Sequence, residues 1–496
     1  MGSGFGRLVV IAGIATALAS SGCAHFVCPA RGGPPWRELR TAHFSLLTDL
    51  SSSDAHDLAR ELELTHAVIT RALPAAAADA SDSIRVVAFA REREYQQFAP
   101  EHAGAYYTLS KFGEPTIVLP GSIGREQRAV LAHELTHHIQ HRVFARLPGW
   151  AAEGLATYME TLGTGSGPHP QAELGGVPKW AHVVAVRSAW SMARVLGRDA
   201  TIDSHEAYAT SWALVHFLMN APDERFNALL RRFGAGEDGR SAWLAVYPEW
   251  DPDQPGGVDE LDRAVHLYLR SGRYRSHVVE PTAPGTPGTE RPLASAAVHD
   301  ITLMLERYLP GDEGRTAEVE EALSEDPTSV GAITALAIRR DPRALELARS
   351  AAAAHREDFR PWLLLDMLLP VGEPRAHELV LRRAAAAPGA TYVAFQALAR
   401  FYYDQGRAAE GLPLALEATA RAPWSDGASD TAAVLLRALG RCAESAVFTR
   451  HALEVLRESA EPSFRAGLVE RLRQLQTCRE GARPPAPSGE KRSNIP

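Results

Sequence analysis

Two histidines four positions apart, with a glutamate directly after the first, restrict this chain more than any other feature: His133-Glu134-Leu135-Thr136-His137. The pattern is useful only on a helix, where positions four apart share a face and both imidazoles can address one ion. Zinc takes imidazole nitrogens at about 2.0–2.1 Å, and catalytic zinc sites hold three protein ligands with one position left for water or substrate. Glu134 then lies beside the ion, placed to take a proton from a bound water. With 19 His in 496 residues, a chance HExxH is expected about 0.05 times in a chain this long. The five residues are suggestive alone, and a third ligand decides.

Glu153 supplies it, 16 positions after His137 in Gly149-Trp150-Ala151-Ala152-Glu153-Gly154-Leu155-Ala156-Thr157-Tyr158-Met159-Glu160. Pro148-Gly149 breaks the first helix, so a second helix can return towards it. A carboxylate near the start of that helix completes a His₂Glu set. His138 and His141 lie on the same helix but cannot join that focus, and read as surface residues or supports of the ligands. Thr157 and Glu160 read as supports, or as capping or exposed positions.

The pair HELTH and GWAAEGLATYME resembles the gluzincin branch of zinc metallopeptidases. It is closest in style to aminopeptidase-N-like and peptidase-MA-like members, whose second motif runs W-x-x-E-G-x-A-x-Y. The likeness spans roughly residues 36–269. It implies a zinc peptidase with Zn²⁺ on His133, His137 and Glu153 and with Glu134 as general base. The gap from His137 to Glu153 is a few residues shorter than in thermolysin or the aminopeptidases, which requires a tighter connecting loop. Tyr208-Ala209-Thr210-Ser211-Trp212-Ala213-Leu214-Val215-His216-Phe217-Leu218 is similar to an aminopeptidase helix whose tyrosine hydroxyl steadies the oxyanion. The resemblance gives that role to Tyr208, where a packing aromatic is the plainer alternative. In the family an edge strand before the active-site helix pairs with the peptide backbone. Gly104–Tyr107 or Thr116–Leu119 occupies that place.

The start of the chain reads as an export signal. Arg7 precedes an apolar run, Leu8 to Ala19, which is too short to span a membrane comfortably. Ser20-Ser21-Gly22-Cys23 is similar to a bacterial lipobox. It implies a lipid anchor on Cys23 and a periplasmic or cell-envelope lipoprotein held to the membrane. Simple cleavage of a secretory signal is the alternative. A net charge of -8 offers no basic face for nucleic acid.

Periodicity divides the rest. Residues 1–22 read as the signal, 23–35 as a linker and 36–275 as the peptidase domain. A Pro/Gly-rich linker is expected over 276–296, a helical domain over 297–478 and a disordered tail over 479–496. Strands are expected at 43–48, 84–90, 105–109 and 116–119, and helices at 54–73, 91–98, 125–144 (strongly amphipathic), 150–161, 208–219, 224–233 and 259–269. In the helical part Gly406-Arg407 recurs as Gly440-Arg441, Glu410 as Glu444 and Ala418 as Ala452, each 34 positions on. Gly372 falls one period earlier. A period of 34 with glycine between helices resembles the tetratricopeptide repeat, which implies a curved surface for a protein partner. Cys442 and Cys478 can bridge or remain buried thiols.

The expected fold class is therefore an α+β gluzincin metallopeptidase domain followed by an all-α tetratricopeptide-like helical repeat domain. The expected function is zinc-dependent hydrolysis of a peptide or protein substrate. Two alternatives stay open: a non-catalytic exported scaffold with a structural zinc site, and a zinc hydrolase acting on another bond.

Overall fold

The computed structural model of the protein describes residues 26–73, 84–99, 104–121, 124–164, 172–187, 191–197, 202, 204–280, 288–305, 312–456 and 461–478. The lipobox, most of the Pro-rich stretch around residues 281–287 and the tail after residue 478 lie outside them. Among the described residues there are nine strands: β1 Arg37–Arg40, β2 Phe44–Thr48, β3 Ile84–Phe89, β4 Tyr106–Leu109, β5 Pro115–Pro120, β6 Gly163–Thr164, β7 Ala172–Leu174, β8 His277–Val279 and β9 Thr289–Pro292. Six form a mixed sheet in the order β4-β5-β3-β2-β1-β9, and three form a small sheet, β6-β7-β8. Strands β2, β3 and β5 run parallel, while β4 is antiparallel to β5 and stands at the edge. The edge strand expected before the HELTH helix is therefore β4; Thr116–Leu119 lies inside the sheet.

The helices of the first domain are α1 Ser52–Ala72, α2 Glu92–Phe98, α3 Arg125–Val143, α4 Gly149–Met159, α5 Lys179–Arg187, α6 Met192–Val195, α7 His205–Asn220, α8 Arg225–Gly234, α9 Gly239–Val246 and α10 Asp259–Ser271. Alternation along the central strands feeds two cores. Phe44, Leu46, Val86, Ala88, Ile117 and Leu119 pack with α1, α3, α4 and α7. Leu47, Val87, Phe89 and Val118 point the other way and pack with Trp36, Tyr95 and Phe98. A sheet buried on both faces explains the near-continuous apolar runs of β3 and β5.

The second core does not end with the first domain. Helix α11 Ser295–Leu305 supplies Val298, Ile301 and Leu305 to it. The expected 276–296 linker also carries β8, paired with β7, and β9, paired with β1. Within the expected 23–35 linker, Cys28 is buried in the same core. The boundary read from composition is thus a structural seam: proline and glycine content signals a connection, but not where the chain goes on to pair.

From α11 the described chain is all helical, through α12 Asp312–Glu325, α13 Val330–Ile338, α14 Ala344–Ala354, α15 Phe359–Leu368 and α16 Pro374–Ala386 to α21 Pro462–Leu475. Helices α17 Tyr392–Asp404 and α19 Asp426–Ala438 start 34 positions apart, as do α18 Ala408–Arg421 and α20 Cys442–Glu454. Gly406 and Gly440 turn these hairpins at φ 71° and 73°, a left-handed conformation that glycine adopts without a Cβ clash. Gly372, one period earlier, does not share it. Cys442 and Cys478 form a disulfide with Cα atoms 6.1 Å apart. Among the described residues no helix is long and apolar enough to cross a membrane.

Buried His66 of α1 pairs with half-buried His43, which stands just before β2. His43 Nδ1 meets Glu63 Oε2 at 2.6 Å, and the His43 ring stacks on His66 with centroids 4.1 Å apart. Burial pushes the His66 imidazole down to about 4; the His43 and Arg142 charges add to this and Glu63 opposes it. The folded state then disfavours protonation, so this contribution is complete above the ordinary pKa of 6.5 and fades as pH falls towards about 4. Between pH 7.5 and 4.5 the loss is expected to be about 2.5 kcal/mol. Urea unfolding at both pH values should show that much less acid sensitivity in His66→Phe than in the wild type; equal sensitivity would contradict the assignment.

Candidate metal centre

Helix α3 leaves the sheet almost directly from β5. Leu131, Leu135 and Ile139 enter the core beneath it. Ala132, Thr136, His138 and Gln140 are buried too, so α3 is covered over more than half its circumference. This corrects the expectation of one apolar face: the helix is embedded between layers rather than laid on a surface. His133 and His137 emerge on its remaining flank.

Helix α4 returns after Pro148, which occupies its N-cap position. Its burial is dense because Gly154 lies against α7: a Cβ there would meet the Ser211 carbonyl oxygen at 2.6 Å. That close approach fixes α4 and carries Glu153, one residue earlier, towards α3. Nothing in the linear sequence identified Gly154 as a packing residue.

The three expected ligands converge. His133 Nε2 and His137 Nε2 are 3.1 Å apart. Glu153 Oε2 is 3.4 Å from the first nitrogen and 3.3 Å from the second. Ligand atoms about 2.0–2.1 Å from a tetrahedral zinc stand about 3.3 Å from one another, so the triangle has the right size. Glu153 Oε2 is also buried without a hydrogen-bond partner among the described residues, as an oxygen aimed at a cation would be. The three side chains keep 16%, 17% and 20% exposure, which leaves the focus reachable from outside.

Both imidazoles are held from behind. His133 Nδ1 meets Glu160 Oε1 at 2.9 Å, and Trp180 Nε1 donates to Glu160 Oε2 at 2.9 Å. His137 Nδ1 meets Gln140 Oε1 at 3.3 Å, and Gln140 Nε2 donates to the Ala152 carbonyl at 3.0 Å, tying α3 to α4. A proton on each Nδ1 leaves each Nε2 lone pair for an ion. Glu160 is thus not an exposed group: its carboxylate holds the His133 ring. Gln140 and Trp180 were missed. Gln140 stands three positions after His137, a helical spacing that could have shown it; Trp180 left no sequence signal.

The local field favours positive charge. Burial disfavours a charged His133 ring, but Glu153, Glu160 and Glu134 outweigh it and hold the ring up to about 10. Burial likewise disfavours the Glu153 carboxylate, and His137 and His133 reverse it, holding the group down to about 2. Glu134 is half-buried, acts on His133 through its charge, and is not one of the three converging groups.

Tyr208 is half-buried in the first turn of α7. It lies on the same helical face as Ser211 and Val215, which abut Gly154. His205, three positions earlier, meets the Trp180 ring with centroids 6.1 Å apart, and Trp180 reaches Glu160. The start of α7 therefore borders the ligand cluster. His138 is not a surface residue: it is buried facing Tyr107, centroids 6.2 Å apart, and burial with the Arg142 charge pushes it down to about 3. The His141 side chain lies outside the described part. Thr157 is fully buried and its hydroxyl has no hydrogen-bond partner among the described residues.

A second group, His299, Glu321 and Glu325, also gathers potential ligand atoms. There the Arg31 guanidinium pairs with Glu321 and already supplies positive charge. No family model matches the chain, and no curated protein matches it.

If Glu160 orients His133, Glu160→Ala should weaken zinc binding 10–100-fold with the fold intact. Competition against a chelating indicator measures this, and an affinity equal to wild type would remove Glu160 from the account.

Proposed function

We propose that this chain is an exported zinc-dependent peptidase that hydrolyses peptide bonds in a peptide or protein substrate. The observation that carries the reading is the triangle of His133 Nε2, His137 Nε2 and Glu153 Oε2 with edges of 3.1, 3.4 and 3.3 Å. Three protein ligands, two imidazoles and a carboxylate, match the donor set of catalytic zinc rather than a closed structural site. A zinc ion held there would supply Lewis acidity towards a scissile carbonyl and acidify water.

The chain's own groups account for the remaining chemistry. The Glu134 carboxylate takes one proton from the attacking water and returns it to the leaving nitrogen, so the group ends as it began. Glu160 and Gln140 keep the two imidazoles oriented. The Tyr208 hydroxyl donates to the carbonyl oxygen as negative charge develops on it. Strand β4 offers its outer edge to an extended peptide, whose main chain would add to the sheet. Export and a lipid anchor on Cys23 rest on the amino-terminal sequence, and a protein partner for the helical repeats rests on their 34-residue period.

Glu134→Gln separates this reading from an inert zinc scaffold. The variant should hold zinc at the wild-type stoichiometry while kcat on denatured casein falls by about 10²–10⁴-fold. Hydrolysis that persists in the variant, or zinc-loaded wild type that leaves casein whole, would refute the peptidase reading.

A further inference from the structure

The hairpin that carries β4 does not end in solvent. Its turn, Ser110 to Glu114, is inserted into the helical domain. Phe112 is 4% exposed and packs in the repeat core with Phe359, Leu363, Leu381 and Leu398. The Phe112 carbonyl accepts a hydrogen bond from the Thr391 hydroxyl at the start of α17. Gly113 follows at φ 78°, and a Cβ there would stand 2.8 Å from both the Tyr392 and the Val393 side chains. Glu114 closes the turn, with Arg85 of β3 at 2.8 Å and Arg360 of the helical domain at 3.9 Å.

From that turn β4 runs antiparallel to β5, with Leu109 opposite Pro115 and Tyr106 opposite Val118. It is only four residues long, and among the described residues it pairs with β5 alone. A short edge strand with one partner frays readily, and an incoming peptide that had to order it would bind more weakly. Beside it, Tyr107 meets His138 of α3, the residue next to the ligand His137.

We propose that the helical domain is a built-in clamp for substrate binding. It holds the tip of the β4–β5 hairpin so that β4 presents an ordered edge to an extended peptide beside the metal centre. Thr391 and Phe112 are then positioning residues, acting through β4 rather than on the reacting atoms. The proposal rests on the peptidase reading for its substrate, but the state of β4 can be measured without it.

The test uses the full chain and two variants, Thr391→Val, which keeps side-chain volume, and Phe112→Ala. Hydrogen exchange of the β4 amides reports the strand. Binding of oxidised insulin B chain to zinc-loaded Glu134→Gln protein, with and without each change, reports substrate docking; KM and kcat in the active background accompany it. Thr391→Val should speed β4 exchange about fivefold, the value of one hydrogen bond. It should weaken B-chain binding and raise KM by a similar factor, leave kcat and zinc stoichiometry unchanged, and be rescued by Thr391→Ser. Phe112→Ala should have a larger effect in the same direction. Unchanged β4 exchange in both variants would overturn the clamp. Faster β4 exchange with unaltered B-chain binding would overturn its role in docking. A wild type that binds B chain but cleaves nothing would refute the peptidase reading and leave the clamp standing.

Discussion

The central constraint on this structure is that two imidazole nitrogens and a carboxylate oxygen sit within 3.4 Å of one another. Three lone-pair donors do not gather without positive charge or a frame that forces them together. Here the frame is packing. Helix α3 is buried on most sides and cannot rotate its histidines away. Helix α4 is pressed on α7 at Gly154, where any larger residue would strike backbone. The Gln140 bridge to Ala152 locks the two helices at the level of the site. The acidic groups around His133 hold its ring far above the ordinary range, and the two imidazoles hold Glu153 far below its own, each against the cost of burial.

The sheet sets where this frame stands. Its parallel centre delivers the chain from β5 into α3, and its antiparallel edge strand lies alongside that helix. The face of the sheet remote from the His133–His137–Glu153 cluster is completed by α11, and the edge hairpin is seated in the repeats. The helical domain is therefore not an appendage on a flexible tether. It finishes a core at one place and encloses the tip of the β4–β5 hairpin at another.

Much of the centre was legible because its chemistry is local. HELTH places two imidazoles and a carboxylate by helical spacing alone, and Pro148-Gly149 announces the turn that brings Glu153 back. The repeat was legible because a fixed period survives drift at single positions. Strand β1 was not, because Arg37-Glu38-Leu39-Arg40 looks like a solvated charge run. In the fold Glu38 is 3% exposed and held by Arg40, Ser45 and Arg291. That compensation comes partly from β9, more than 250 positions away, and no local window contains it. The hairpin turn was opaque for the same reason: Phe112 reads as a loop residue until the repeats close over it. Trp180 too acquires meaning only once it meets Glu160.

What the three converging atoms hold is read directly by zinc-edge X-ray absorption on the purified full chain, alongside metal stoichiometry. The purified chain should carry one zinc, with two imidazole nitrogens and carboxylate oxygen at about 2.0–2.2 Å and no sulfur, and His137→Ala should lose that ion. A chain that takes up no stoichiometric zinc, or one whose zinc shell is unchanged when His137 is removed, would contradict it.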